Sequence, residues 1–279
     1  MTAPIWILGA GYTGARVARL LLAAGHEIHV TARDPARLAD LAASGAAVHR
    51  LDALDPAPAL AAVAPGARVL HSIPSLERAD GPFDPTALLV AALGDRPARL
   101  VLLSTTGVYG SLREVDEHSL PAPETRRQVV RLAAERAAAS GPWSTLVLRP
   151  AAIYGPGRGV HASLRAGRYR LVGAGENFGS RIHVDDLAAV TAAALLADLE
   201  GAYPVADREP ARAREVAAFA AGLLGLPLPP SVPKESVDET LRADRRVDGR
   251  AIFAALGVPL RYPGYREGIP AALAAERAG

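Results

Sequence analysis

Cysteine is absent from this chain of 279 residues, and lysine occurs only once, at Lys234. The absence of cysteine excludes disulfides, thiolate nucleophiles and cysteine-ligated metals, and we predict no metal site of another kind. No apolar run reaches the ~18 residues that cross a membrane, and the first residues lack the basic segment of a secretion signal. We therefore expect a cytoplasmic protein that does not act at a membrane.

A strong excess of either charge is also missing. The chain has 31 basic and 29 acidic residues, and these are interleaved rather than gathered into a basic stripe. Nucleic acid is therefore not an expected partner. Half of the residues are hydrophobic, and a chain of this length can bury a sizeable core.

What the chain does have is a glycine-rich turn in a specific setting. The apolar run 5–8 reads as a buried strand, and it leads into Gly9-x-Gly11-x-x-Gly14 and then into a helical pattern. This context predicts a dinucleotide-binding turn. Gly9 would permit the tight turn, Gly11 would let the backbone approach a pyrophosphate, and Gly14 would let the helix pack on its strand.

Beyond this turn, short apolar runs alternate with helical patterns as far as the run 144–148. Such runs are typical of parallel strands covered on both faces, so we predict an α/β, Rossmann-type doubly wound sheet. Residues 1–154, rejoined by 182–202, are predicted to form this cofactor-binding core. Residues 155–181 and 203–279 are predicted to form a smaller substrate-binding lobe.

The end of the second predicted strand bears on which dinucleotide binds. An acidic residue there holds the ribose of NAD, whereas this chain has Ala32 and Arg33. Arginine suits the 2′-phosphate of NADP, so we predict NADP rather than NAD, the alternative being that Arg33 is a solvated loop residue. Asp34 is better explained as a helix cap before Pro35. Asp52 would meet the adenine amine or cap a turn.

Four strings together resemble the extended short-chain dehydrogenase/reductase family, which includes the epimerases and dehydratases of nucleotide sugars. They are Gly9-Ala-Gly-Tyr-Thr-Gly14, Leu103-Ser-Thr-Thr-Gly-Val-Tyr-Gly110, Leu148-Arg-Pro-Ala-Ala-Ile-Tyr-Gly-Pro-Gly157 and Ile182-His-Val-Asp-Asp-Leu187. Together with Tyr262-Pro-Gly-Tyr-Arg-Glu-Gly268, they are similar to an atypical branch of NAD(P)-dependent oxidoreductases.

The resemblance implies roles at matching positions. Thr105 would be the catalytic serine or threonine that hydrogen-bonds the substrate oxygen. Tyr154 and Arg158 would contact substrate, or else pack within their loop. Besides the three glycines, the residues implied to border the cofactor are Tyr12, Thr13, Ser72, Ile73 and Pro150.

The chain departs from the family at its proton-transfer pair, a tyrosine followed four residues later by a lysine. Counting back from Glu135 puts Arg127 and Arg131 at those two positions, and no tyrosine lies four residues before Lys234. Arg131 would still bind the ribose. Arg127 cannot act as a general acid, because the guanidinium of arginine does not release a proton in proteins. Tyr109 is one substitute that the sequence offers.

Three functions follow from these predictions. The first is an NADP-dependent oxidoreductase acting on a small or nucleotide-sugar-like substrate. The second is a non-catalytic NADP-binding sensor, and the third is a sugar epimerase or dehydratase. Family members often pair through helices matching 84–93 and 123–140, which implies a homodimer by analogy.

Overall fold

The computed structural model describes residues 3–237 and 242–278. Its centre is a parallel sheet of seven strands with the spatial order β7-β6-β5-β4-β1-β2-β3. The strands are β1 Ile5–Leu8, β2 Ile28–Ala32, β3 Ala47–Arg50, β4 Ala67–His71, β5 Pro97–Leu103, β6 Ser144–Pro150 and β7 Gly201–Val205. The chain changes its direction of travel across the sheet between β3 and β4. The carboxyl ends of β1 and β4 therefore form the crevice in which such sheets bind ligands.

Helices cover both faces of the sheet. They are α1 Gly14–Ala23, α2 Ala39–Ala43, α3 Ala57–Leu60, α4 Thr86–Leu93, α5 Arg126–Ala138, α6 Val160–Arg165, α7 Val184–Leu196, α8 Ala213–Leu224, α9 Arg250–Leu256 and α10 Tyr265–Ala278. In β1, Ile5 and Ile7 join a core cluster with α1 and α7, whereas Trp6 and Leu8 join one with α4. This division explains why the strand is apolar at every position. The predicted doubly wound α/β sheet is confirmed.

One boundary of the predicted substrate lobe needs correction. Tyr203 to Val205 lie in β7, which pairs with β6 inside the central sheet. Ile252 and Phe253 of α9 also belong to the core cluster that contains α7. These parts of the predicted lobe therefore pack with the Rossmann core, and the rest of the two-lobe division stays a prediction.

Within residues 3–237 and 242–278, five short strand pairs lie outside the central sheet. They are Leu76–Arg78 with Gly81–Phe83, Glu114–Val115 with Arg246–Val247, Ala152–Tyr154 with Arg181–His183, Leu171–Val172 with Ser231–Val232, and Phe178–Gly179 with Ala211–Arg212. Four of them join segments that are distant in sequence, and so they tie the later part of the chain to the loops after β5 and β6. Among the described helices, none has both the length and the apolar character to span a bilayer.

Candidate cofactor and active site

The glycine-rich turn lies between β1 and α1. Gly9 has a φ of +88°, in the left-handed region that favours glycine, and its amide donates to Thr31 Oγ1 at 3.0 Å. A Cβ on Gly9 would lie 2.8 Å from Ile73, and one on Gly14 would lie 2.6 Å from the Gly9 carbonyl oxygen. A Cβ on Gly11 would meet no described heavy atom within 4 Å. Packing therefore requires glycine at two positions, and the third leaves open space that fits a pyrophosphate.

Two further residues tie this turn to the rest of the protein. Tyr12 donates its hydroxyl to the Pro156 carbonyl at 3.0 Å, and Thr13 is buried at the start of α1. The guanidinium groups of Arg16 and Arg158 lie 4.3 and 5.4 Å from the centre of the Tyr12 ring. Arg158, predicted to contact substrate, is exposed and lies against the cofactor-binding turn.

At the end of β2, Arg33 is exposed, and its side chain has no hydrogen bond or ion pair within residues 3–237 and 242–278. Asp34 Oδ1 accepts a hydrogen bond from the Ala36 amide at 3.2 Å, so Asp34 is the helix cap that the sequence predicts. Asp52 Oδ1 accepts from the Leu54 amide at 2.9 Å and thereby caps a turn. Arg33 is therefore a free charged group at the end of β2, and Arg50, at the end of the neighbouring β3, is exposed as well.

The loop after β4 borders the glycine turn. The Ser72 amide donates to the Leu8 carbonyl at 2.9 Å, and the Ile73 amide donates to His71 Nδ1 at 3.3 Å. His71 Nε2 lies 2.8 Å from Thr86 Oγ1. Burial lowers the pKa of His71 to about 3, so its ring is neutral. Ser72 and Ile73 are thus held by a buried polar network.

Arg131 belongs to the same network. Its Nη1 lies 2.7 Å from Asp84 Oδ2, its Nη2 donates to the Leu103 carbonyl, and both charged side chains are buried. Burial alone would raise the pKa of Asp84, but Arg131 and the hydroxyls of Ser75 and Thr86 lower it, so the carboxyl is ionised. Arg131 thus joins α4 to the end of β5 in this structure, and its predicted contact with the ribose stays a prediction.

Thr105 follows β5 and is half-buried. Its Oγ1 accepts from the Gly107 amide at 3.1 Å and caps the turn Thr106–Tyr109. Tyr109, by contrast, is fully buried, and its hydroxyl accepts from Arg149 Nη1 at 3.0 Å. Arg149 is paired in turn with Glu135 at 2.7 Å. Burial raises the pKa of Tyr109. This position does not suit a group that exchanges protons with substrate.

Tyr154, the tyrosine of the third matched string, is also packed. Its side chain is buried, its hydroxyl donates to the Gly264 carbonyl at 3.1 Å, and its ring lies edge-on to His183 at 5.2 Å. The structure therefore favours the packing alternative for Tyr154. Pro150 is buried at the end of β6, opposite Val205 of β7.

Sequence reasoning missed Arg245. This buried side chain donates to the carbonyls of Thr106 at 2.6 Å, Leu112 at 2.9 Å and Gly110, all in the loop after β5. Arg245 therefore fixes the loop that carries Thr105. In a chain with so many arginines, no local pattern sets this one apart.

The fold and the glycine turn together define a Rossmann-type protein with a site for a dinucleotide. A family model described as NAD(P)H-binding matches residues 9–198. The chain belongs to this NAD(P)H-binding family.

Individual relatives agree with this assignment. A 3-diazoavenalumate denitrifying reductase from Streptomyces sp is 30% identical, over 94% of this chain and 98% of the relative. A conserved protein of unknown function from Silicibacter pomeroyi DSS has a solved structure that is 34% identical, with a TM-score of 0.82 over 98% of this chain and 99% of that one. UDP-glucuronic acid 4-epimerase from Bacillus cereus, solved with UDP-glucuronic acid and NAD, is 18% identical, with a TM-score of 0.80 over 99% of each chain. Because the identity to this epimerase is only 18%, the similarity shows a shared fold alone.

Proposed function

We propose that this protein is an NADP-preferring reductase of the extended short-chain type that reduces a small electrophilic acceptor. The proposal rests on two observations taken together. The glycine turn leaves room for a dinucleotide, whereas Tyr109 and Tyr154, from the second and third matched strings, are buried and already hydrogen-bonded. The chain is equipped to present a hydride donor but has lost the family's usual means of moving a proton.

The preference for NADP rests on Arg33. It is exposed at the carboxyl end of β2 and has no partner among the described residues, so it is free to form paired hydrogen bonds with a 2′-phosphate. Asp34, the nearest carboxylate in sequence, is engaged with the Ala36 amide. It therefore caps its helix rather than holding a ribose hydroxyl.

The reduced nicotinamide, when bound, supplies a hydride. This chain's own residues position the reactants. Ser72 and Ile73 would line the cofactor, and the Thr105 hydroxyl would hold a polar atom of the substrate. Arg131 links Asp84, which precedes α4, to the Leu103 carbonyl at the end of β5.

The class of acceptor follows from the missing proton donor. A carbonyl oxygen must gain a proton as carbon gains the hydride, but arginine, which occupies both positions of the family's proton-transfer pair, is not a proton donor. This favours an acceptor whose own positive charge is cancelled by the hydride. The 30%-identical relative is named as the denitrifying reductase of a diazo compound. An arenediazonium fits, because hydride at its terminal nitrogen gives a neutral aryldiazene. As the C–N bond of the aryldiazene breaks and N₂ leaves, its N–H proton passes to the aryl carbon, so the arene forms with no net uptake of a proton.

The other two functions fit less well. An epimerase or dehydratase needs a base, and the family's base position holds Arg127. A sensor that binds NADP without turnover remains the second candidate, because Arg131 already pairs with Asp84 at the position of the family's lysine.

Turnover of a defined panel tests the proposal. Purified protein with NADPH is offered 4-carboxybenzenediazonium, aromatic aldehydes and ketones, and UDP-sugars. We expect the arene and NADP to form in equal amounts with the diazonium and the carbonyls to remain unreduced. Interconversion of UDP-sugars without net NADPH consumption would support an epimerase. Tight NADPH binding with no turnover at all would support the sensor.

Arg33→Ala tests the cofactor preference. Removing the charged hydrogen bonds should reduce the preference for NADPH over NADH about tenfold or more. Arg37→Ala is the matched control, because Arg37 is exposed on the same turn and lies 3.6 Å from Asp34. An unchanged preference in Arg33→Ala would remove Arg33 from the cofactor site.

A further inference from the structure

Arg127, at the position of the family's tyrosine, is exposed. Its guanidinium makes no hydrogen bond or ion pair with any residue in the described ranges. Among described arginines close to the active site, Arg131, Arg149 and Arg245 are buried and hydrogen-bonded to protein groups. Arg127 differs from these three arginines because its guanidinium is exposed and has no partner among the described residues.

The position of Arg127 on helix α5 indicates which face of the helix carries its side chain. Residues four apart share a face of a helix, and each turn rises ~5.4 Å. Arg131 and Glu135 lie one and two turns after Arg127, and they contact the Leu103 carbonyl and the Ser104 hydroxyl. Both contacts immediately precede Thr105. Arg127 therefore continues the face of α5 that meets the end of β5 and the candidate active site.

Nearby carboxylates do not outweigh the positive charge at this end of α5. Asp84 pairs with Arg131 and Glu135 pairs with Arg149. Glu124 accepts from the uncharged amide and hydroxyl of Ser111 and keeps its negative charge, but two exposed arginines, Arg126 and Arg127, lie close to it in sequence. The entrance to the site therefore favours an anion.

We infer that Arg127 binds a carboxylate of the substrate, so that the protein selects anionic aromatic acceptors. This inference rests on the proposed function, whose substrate class it narrows. A guanidinium binds a carboxylate through two parallel hydrogen bonds and so fixes its orientation as well as its charge. Replacing tyrosine by arginine thus exchanges a proton donor for an anion-binding group, which suits a hydride acceptor that needs no proton.

Binding of simple probes tests Arg127 without requiring turnover. NADP-loaded protein is titrated calorimetrically with cinnamate, with its neutral counterpart cinnamamide and with phenyl phosphate. We expect cinnamate to bind more tightly than cinnamamide and phenyl phosphate, and its affinity to fall as salt rises. Arg127→Ala should weaken cinnamate about tenfold, leave cinnamamide unchanged and abolish the salt dependence. Arg127→Lys should restore part of the affinity, because a point charge lacks the paired geometry.

Arg126→Ala is the matched control. Arg126 is adjacent and exposed, but its guanidinium lies against Gly81 of the strand pair Leu76–Arg78 and Gly81–Phe83. We expect this variant to bind cinnamate like the parent protein. Equal loss in both variants would show general electrostatics and overturn the specific role of Arg127.

Other outcomes separate this inference from the proposed function. Unchanged cinnamate binding in Arg127→Ala, with NADP affinity and melting temperature also unchanged, would overturn the inference. So would preferential binding of phenyl phosphate, or a failure of cinnamate to bind at all. If Arg127-dependent cinnamate binding is found but no acceptor is ever reduced, the inference holds and the proposed reductase function fails.

Discussion

Thr105 is held by its own side chain, since its Oγ1 caps the turn Thr106–Tyr109 through the Gly107 amide. Thr105→Ala removes both this cap and the hydroxyl proposed to orient the substrate. We expect kcat to fall tenfold or more while the Kd for NADPH is unchanged, as measured by turnover and calorimetry. The lost cap should cost about 1 kcal/mol of stability. Thr105→Ser keeps both functions and should behave like the parent. Full turnover by Thr105→Ala would exclude the residue from the mechanism.

Single residues were predictable from sequence where the cause is local. Asp34 caps its turn through an amide only two residues away, and the Asp-Pro pair predicts this contact. The fates of Tyr109 and Tyr154 were not predictable in this way. Their hydroxyl partners, Arg149 and Gly264, lie 40 and 110 residues away in sequence. When the burial of a tyrosine depends on partners this far away in the chain, the residues next to it in sequence do not indicate that it is buried.

The loop after β5 depends on one side chain from a distant segment. Arg245 donates to three carbonyls of this loop, and its neighbour Arg246 pairs with the exposed Glu114. Arg245→Ala would leave these three carbonyls, of which that of Thr106 is buried, without their donor. We expect a loss of about 2–4 kcal/mol in the free energy of unfolding, measured by urea denaturation, because each unsatisfied group is costly.

Arg246→Ala serves as the control for this element. Surface ion pairs are worth at most about 1 kcal/mol, so this variant should lose much less stability than Arg245→Ala. Similar losses in the two variants would show that the hydrogen bonds of Arg245 are replaceable, for instance by water.

At the scale of elements, the sequence predicted the central sheet well because its strands are buried on both faces. An apolar residue at every position of β1 is the direct result, with Ile5 and Ile7 facing one cluster and Trp6 and Leu8 the other. The two-residue strands carry no comparable pattern. Glu114–Val115 forms a strand only because Arg246–Val247 lies beside it.

For the molecule as a whole, buried histidines couple folding to pH. Burial lowers the pKa of His71 to about 3 and that of His183 to about 4, and it lowers the pKa of His49 and His161 as well. The unfolded chain takes up these protons near pH 6.5, whereas the folded protein does so only at lower pH. Stability therefore falls as pH drops below about 6.5, by up to about 1.4 kcal/mol per pH unit for each buried histidine that stays neutral. The contribution of His49 is smaller, because its ring is only half-buried and water screens its charge.

The buried carboxyl of Asp207 has the opposite effect on how stability depends on pH. Burial raises the pKa of Asp207 to about 8, and one of its carboxyl oxygens has no partner among the described residues. The folded protein thus holds this proton through the range in which the unfolded chain loses it. The stability that Asp207 contributes is complete below pH ~4 and is lost as pH rises towards 8. In the acid range, this single group offsets only part of the effect of the histidines.

We therefore expect the melting temperature to fall on the order of 10 °C between pH 6.5 and pH 5, as measured by calorimetry at constant ionic strength. His49→Phe keeps a ring against Trp6, where the two rings now stack at 4.6 Å, but removes one titrating group. This variant should make the slope shallower. His118→Ala removes an exposed histidine and should leave the slope unchanged. A flat profile over this range would mean that the buried rings gain protons without unfolding, because the protein opens locally around them.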